Sequence, residues 1–176
     1  MKNDIKIAIS GRSGCGNTTV SKMTADILNL RFINFTFRNL AQERGMDLKE
    51  VLHLALRDES WDREVDTRQV ALARENGGCV LGSRLAIWML KEADVKVYLY
   101  AEAEIRARRI VNREGGQLDE VAAFTDKRDR QDRARYLSLY HIDTDDYSFA
   151  DLIINTGKLT PEEIVDLIVK KAETVV

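Results

Sequence analysis

The residues best suited to chemistry are Gly11-Arg12-Ser13-Gly14-Cys15-Gly16-Asn17-Thr18-Thr19. Glycines at 11, 14 and 16 let the backbone take positive φ and turn its N–H groups inward, forming an anion nest at the positive end of the helix that follows. The natural guest is a polyphosphate. Thr18 offers a hydroxyl in the first helical turn, where a phosphate loop places its Mg²⁺ ligand. Position 17 departs from the pattern G-x-x-x-x-G-K-[ST]: a lysine there would reach the β- and γ-phosphates, whereas Asn17 is a neutral donor. A lone glycine-rich turn is most often an ordinary tight loop. Here an apolar run over 5–10 precedes it as a buried strand, and a helical pattern with Val20, Met23, Ile27 and Leu28 on one face follows. Strand, loop, threonine pair and helix in that order specify phosphate binding more firmly than catalysis.

A second set of residues could grip the same anion. The periodicity predicts a helix over 102–114 that presents Arg106, Arg109 and Arg113, a hinge at Gly115-Gly116, and a long helix over 118–140 that carries Lys127, Arg128, Arg130, Arg133 and Arg135. In the bland reading these arginines form solvated ion pairs, Asp126–Arg130 and Asp129–Arg133, worth only ~0.2–0.5 kcal/mol each. In the functional reading Arg128, Asp132 and Arg135 share one helix face opposite Arg109 and Arg113, and so form a cationic clamp. Phosphoryl transfer needs such a clamp, because its catalysis is mostly positioning and charge stabilisation. The phosphate loop in the same chain favours the clamp.

These residues need a scaffold. Apolar runs over 31–35, 78–82, 95–100 and 151–156 join the first as strands separated by helical patterns, the signature of a parallel α/β sheet. Ser83-Arg84 follows the third run, at the carboxyl edge where open α/β sheets bind ligands. Between the second and third strands lie helices over 37–43, a stretch after Asp47 with Leu48, Val51, Leu52, Ala55 and Leu56 inward, and a helix from Ser60 with Trp61, Val65 and Leu72 inward. Thr160-Pro161-Glu162-Glu163 opens a final helix as N-cap, N1 proline and N3 glutamate.

The chain has 176 residues, 27 basic against 29 acidic, for a net charge of -2, so it has no global field for nucleic acid or membrane. No run approaches the ~18 apolar residues of a membrane span, and no leader pattern opens the chain, so a cytoplasmic protein is expected. Cys15 and Cys79 lack disulfide or metal spacing and read as reduced, small residues. His53 and His141 have no partner pattern, and Asp143, Asp145 and Asp146 read as a surface turn.

Over nearly its whole length the chain resembles the small cytidylate kinases, especially the compact archaeal type. The resemblance rests on Phe37-Arg38-Asn39-Leu40-Ala41-Gln42-Glu43-Arg44-Gly45-Met46, Asp62-Arg63-Glu64-Val65-Asp66-Thr67-Arg68-Gln69, Ser83-Arg84-Leu85-Ala86 with Trp88, Arg128-Asp129-Arg130-Gln131-Asp132-Arg133-Ala134-Arg135, Tyr140-His141-Ile142-Asp143 and the strand over 151–156. It implies a P-loop NTPase-like three-layer αβα fold with a five-stranded parallel sheet. The whole chain, 1–176, would be one domain with a helical monophosphate-binding insertion at 36–75 and a short helical lid at about 106–140. It implies ATP and CMP or dCMP as substrates, with Mg²⁺ at Thr18. Residues 11–19 would hold the ATP phosphates, and Arg38, Arg84 and Arg135 would hold the acceptor's phosphate. Asp62 and Arg63 would also lie on the acceptor side. Arg128 and Asp132 would hold its ribose, and Arg109 and Arg113 would act from the lid. The catalytic set is then Asn17, Arg109, Arg113 and Arg128. Small nucleotides are the expected partners, without nucleic acid or membrane, and a monomer is favoured.

The chain departs from that family pattern where Asn17 replaces lysine, where Gly82 replaces an acidic residue, and in the bulky segment Asn34-Phe35-Thr36-Phe37. Single electrostatic contacts in such sites are worth roughly 3–4 kcal/mol, so two readings stand beside an active cytidylate kinase. One is a catalytically impaired nucleotide-binding module, and the other is a kinase for another small acceptor.

Overall fold

A computed structural model describes residues 4–75 and 77–175. In chain order the elements are β1 (Lys6–Gly11), α1 (Asn17–Leu28), β2 (Arg31–Ile33), α2 (Phe37–Arg44), α3 (Leu48–Ala55), α4 (Ser60–Arg74), β3 (Cys79–Gly82), α5 (Ala86–Met89), β4 (Val95–Tyr100), α6 (Ala103–Glu114), α7 (Leu118–Tyr140), β5 (Leu152–Asn155) and α8 (Pro161–Glu173). The strands form one five-stranded parallel sheet in the order β2-β3-β1-β4-β5.

The apolar strand runs follow from burial on both faces. Ile7 and Ile9 of β1 point into a core with Val20 and Ala25 of α1 and Ile164, Val165, Ile168 and Ala172 of α8. Ala8, between them, points the other way, toward Val70 and Ala73 of α4 and Ala86 and Ile87 of α5. Helices therefore cover both sides of the sheet. A third, smaller cluster of Phe35, Leu40 and Val65 ties α2 to α4, with Phe37 and Trp61 against it.

In the β1–β3 register Ile9 stands opposite Gly82, and the Ser83 amide donates to the Ile9 carbonyl at 3.1 Å. The loop after β1 and the Ser83-Arg84 turn after β3 thus leave the sheet side by side. On the other flank α6 and α7 pack together as an antiparallel pair.

Three sequence expectations change here. Ile27 is 59% exposed, since the buried stripe of α1 runs through Val20, Ser21, Thr24 and Ala25. On α3 only Val51 is buried, while Leu52 and Leu56 are exposed because none of the described residues packs over that face. The short helix α5 had no counterpart in the sequence pattern, being a single turn without its own period. Among the described residues no helix is long and apolar enough to cross a membrane.

Candidate active site

A cleft of about 460 Å³ opens outside the carboxyl ends of β1 and β3. One wall is the loop between β1 and α1. Gly14 and Gly16 hold φ of 81° and 86°, the left-handed conformation that turns successive amides the same way. The loop is drawn shut by the Cys15 amide, which donates to the Arg12 carbonyl at 3.1 Å. Gly16 caps α1 without a side-chain hydrogen bond, and the first turn of that helix carries no acidic residue. The amides and the helix dipole therefore face the cleft uncompensated, as an anion site requires.

The backbone carbonyls of the loop turn away from the cleft and are held from behind. Nη1 of Arg106 donates to the Ser13 carbonyl at 3.2 Å and to Asp129 Oδ2 at 2.8 Å. Arg109 donates through Nη1 to the Gly14 carbonyl at 3.2 Å and to Thr156 Oγ1 at 2.9 Å, and through Nη2 to the Thr156 carbonyl at 2.7 Å. A β-carbon on Gly14 would lie 2.7 Å from the Arg106 carbonyl oxygen, so this packing admits only glycine. Cys15 is buried, which pushes its thiol above the ordinary range and makes it a packing residue.

Facing the loop are Arg84, from the turn after β3, and Arg128, Asp132 and Arg135 along one face of α7. Arg84 donates to Ser13 Oγ and to Asp132 Oδ2. Nη2 of Arg135 donates to Asp132 Oδ1 at 3.0 Å, and its Nε lies 3.6 Å from Asp62 Oδ1. One carboxylate, Asp132, thus aligns two guanidinium groups. Burial first, and then the neighbouring Arg128 cation, lower the Arg84 pKa. Arg113 also lines the cleft.

The remaining wall is α4, with Asp62, Val65, Asp66 and Gln69, together with Phe35 and Phe37. Burial raises the Asp66 pKa to about 6, although the Tyr140 hydroxyl donates to its Oδ2 at 2.7 Å and opposes the shift. Asp62 is raised in the same direction by burial, against the pull of Arg135.

The structure brings most of the expected residues together and sets some apart. Gly11, Arg12, Ser13, Gly14, Gly16, Asn17, Thr18, Thr19, Asp62, Arg84, Arg113, Arg128, Asp132 and Arg135 line the cleft, whereas Cys15, expected with them, turns into the core. Arg38 is exposed on α2 and outside the lining, and Arg63 is exposed with its guanidinium 5.5 Å from the Tyr140 ring centroid. Arg109 lies behind the loop. The expected Asp129–Arg133 pair does not form: Asp129 is buried on Arg106, and Arg133 makes a bidentate bond to Asp143, 2.7 Å to each oxygen. The i,i+4 rule describes an exposed helix, and Asp129 points into the α6–α7 seam. Asp126–Arg130 does form, at 2.8 Å. The turn at 143–146 is tied in as well, because Asp145 pairs with Arg12 of the loop.

Two of the three departures from the expected pattern, Asn17 and Gly82, meet at one side chain. Asn17 Oδ1 accepts a hydrogen bond from Ser21 Oγ at 3.0 Å, and a β-carbon on Gly82 would lie 2.5 Å from that same hydroxyl oxygen. Ser21 fills the space in which an acidic side chain at 82 would begin. Sequence reasoning counted Arg106 among the cations facing the anion, whereas it backs the loop, held by Asp129, and it gave Asp129, Asp66, Gln69 and Tyr136 no role in the site. The available signal was spacing, since Asp62, Asp66 and Gln69 recur at i, i+4 and i+7.

The family model described as "Cytidylate kinase-like family" matches residues 6–158. The chain is 48% identical over 168 residues to "Cytidylate kinase 2" of Borreliella afzelii, covering 93% of this chain and 94% of that protein. It is 42% identical over 169 residues to the cytidylate kinase of Pyrococcus horikoshii, covering 95% of this chain and 88% of that protein. Among solved structures, the shikimate kinase of Bacteroides thetaiotaomicron superposes with a TM-score of 0.65 at 20% identity, covering 96% of this chain and 98% of that one, a likeness of fold alone.

Proposed function

Because the chain belongs to the cytidylate kinase-like family, we propose that it transfers the γ-phosphoryl group of ATP to CMP or dCMP. The observation that carries this reading is the convergence, on one cleft, of an uncapped phosphate nest and the Arg84–Asp132–Arg135 cluster opposite it. The relatives named cytidylate kinase lend no support to an impaired module.

In the proposed reaction a phosphate oxygen of the acceptor attacks the γ-phosphorus as the bond to the β–γ bridging oxygen breaks, and ADP leaves without a covalent enzyme intermediate. The amides of 11–18 hold the β- and γ-phosphates in line. Asn17, whose amide oxygen is engaged by Ser21, keeps its NH₂ group as a neutral donor where a lysine would otherwise serve. Arg84 and Arg135, aligned by Asp132, neutralise and orient the acceptor's phosphate, and Arg113 and Arg128 face the charge on the transferring group. Arg109 positions the loop instead of touching substrate. The segment 36–75 serves as acceptor lobe, and about 106–140 as the cover that excludes water.

Mg²⁺ fits this donor set. Thr18 lines the cleft beside the phosphate loop, a single hard oxygen donor that suits an ion held mainly by phosphates and water. The Thr18 hydroxyl would be its protein ligand, and the ion would supply charge neutralisation at the β- and γ-phosphate oxygens.

An assay coupled to ADP release, with ATP and each of CMP, dCMP, UMP and AMP, tests the proposal on the native chain and on Asn17→Lys. We expect turnover with CMP or dCMP by the native chain. Turnover by the lysine variant alone would overturn the reading.

A further inference from the structure

The turn after α7 is joined to the phosphate loop by a chain of alternating charges. His141 ends α7 with a left-handed φ of 57°, and the chain folds back along the helix. Arg133 takes both oxygens of Asp143, through Nε and Nη2 at 2.7 Å each, and its Nη1 lies 3.2 Å from Asp145 Oδ2. The other oxygen of Asp145 accepts from Nη2 of Arg12, the second residue of the loop, which lines the cleft. Asp145 therefore bridges two guanidinium groups. One belongs to the loop that would hold ATP, and the other to α7, the helix that carries Arg128, Asp132 and Arg135.

Folding has other anchors for this turn. Trp88 Nε1 donates to the Asp146 carbonyl at 3.1 Å, and Tyr147 stacks on Tyr98 with ring centroids 3.8 Å apart and planes 8° from parallel. Tyr98 stands opposite Ser10 in the β1–β4 register, at the root of the loop. The four charged side chains are 36–43% exposed, and ion pairs at such sites add little to stability. Their link has a different consequence. Donor and acceptor sit on separate elements, and in-line transfer slows steeply when the reacting atoms are displaced by as little as ~1 Å.

Resting on the monophosphate-kinase reading above, we propose that Asp145 is a positioning residue for phosphoryl transfer: by bridging Arg12 and Arg133 it sets the distance between the phosphate loop and the arginine face of α7. It acts through those two side chains and touches neither substrate. Without its carboxylate both substrates still bind, but they spend less time in line.

The experiment measures kcat and KM for ATP and CMP in the ADP-release assay, with thermal melts, on the native chain, Asp145→Ala, Asp145→Asn, Asp145→Glu, Arg12→Ala and the double variant Arg12→Ala/Asp145→Ala. Asp145→Ala and Asp145→Asn should lower kcat ~10–100-fold, with each KM within ~3-fold of native and the melting temperature nearly unchanged. Asp145→Glu keeps the charge and should recover part of the loss. The double variant should match the slower single variant within ~3-fold, because both changes cut one link. A folded Asp145→Ala with kcat within ~3-fold of native would overturn the proposal and leave the kinase reading standing. Losses confined to KM, losses that multiply fully in the double variant, or an Asp145→Asn chain that unfolds would do the same. A native chain that phosphorylates no monophosphate would overturn the kinase reading, and the proposal with it.

Discussion

Two helices of this chain begin with the same dipole and opposite arrangements for it. At α8 the Glu163 amide donates to Thr160 Oγ1 at 3.2 Å, Glu163 Oε2 accepts from the Thr160 amide at 2.8 Å, and Pro161 removes a donor from the first turn. Glu162 and Glu163 add negative charge there. At α1 the cap is a left-handed glycine, and among the described residues no side chain caps its amides and no acid stands in its first turn. One end closes on itself and is structural. The other leaves its donors for a ligand, while Arg106 and Arg109 occupy the loop's carbonyls from behind so that the amides keep facing the cleft.

The comparison breaks most severely if the loop's backing is removed. Arg106→Leu leaves Asp129 buried without its cation, and unfolding in denaturant should show a loss of about 3–5 kcal/mol, since stripping one partner from a buried pair strands the other charge. Gly14→Ala should follow. Its β-carbon collides with the α6 backbone and its φ is strained, so kcat/KM for ATP should fall roughly 10²–10³-fold, with the loss read by steady-state kinetics.

A third test moves to the cleft's far wall. The folded pKa of Asp66, about 6, stands above its ordinary value of 3.8, so the native state binds that proton more tightly than the unfolded chain does. Its contribution to stability is therefore fully present below pH 4 and is lost as pH rises through 6. In Asp66→Asn the stability curve between pH 4 and 7 should be flatter by on the order of 2–3 kcal/mol, measured by denaturant melts across that range. The smallest effect belongs to α8. Thr160→Ala should cost about 1 kcal/mol in the same melts and leave kcat and KM unchanged.

Local patterns made much of this legible. The glycine loop, the capping box at 160–163 and the apolar strand runs each depend on neighbours a few residues apart, and the structure places them as the spacing predicts. The common face of Arg128, Asp132 and Arg135 followed from helical period alone, and all three line the cleft. Long-range pairing was not legible. Arg106 meets Asp129 across 23 positions and Arg109 meets Thr156 across 47, and no local rule prefers those partners to the i,i+4 neighbours. Gly82 read as a lost carboxylate because the sequence does not show that Ser21 fills the space beside it. Leu52 and Leu56 followed an amphipathic pattern, yet both are exposed among the described residues, so their period misdirected the inward assignment.

The central claim is that the open end of α1 holds the ATP phosphates in line with an acceptor phosphate gripped by Arg84 and Arg135. A ³¹P NMR time course with ATP, Mg²⁺ and CMP tests it most directly, because it identifies where the γ-phosphorus goes. The account predicts CDP and ADP growing together in equal amounts, with orthophosphate absent. Orthophosphate rising in place of CDP, or an unchanged ATP spectrum, would contradict it.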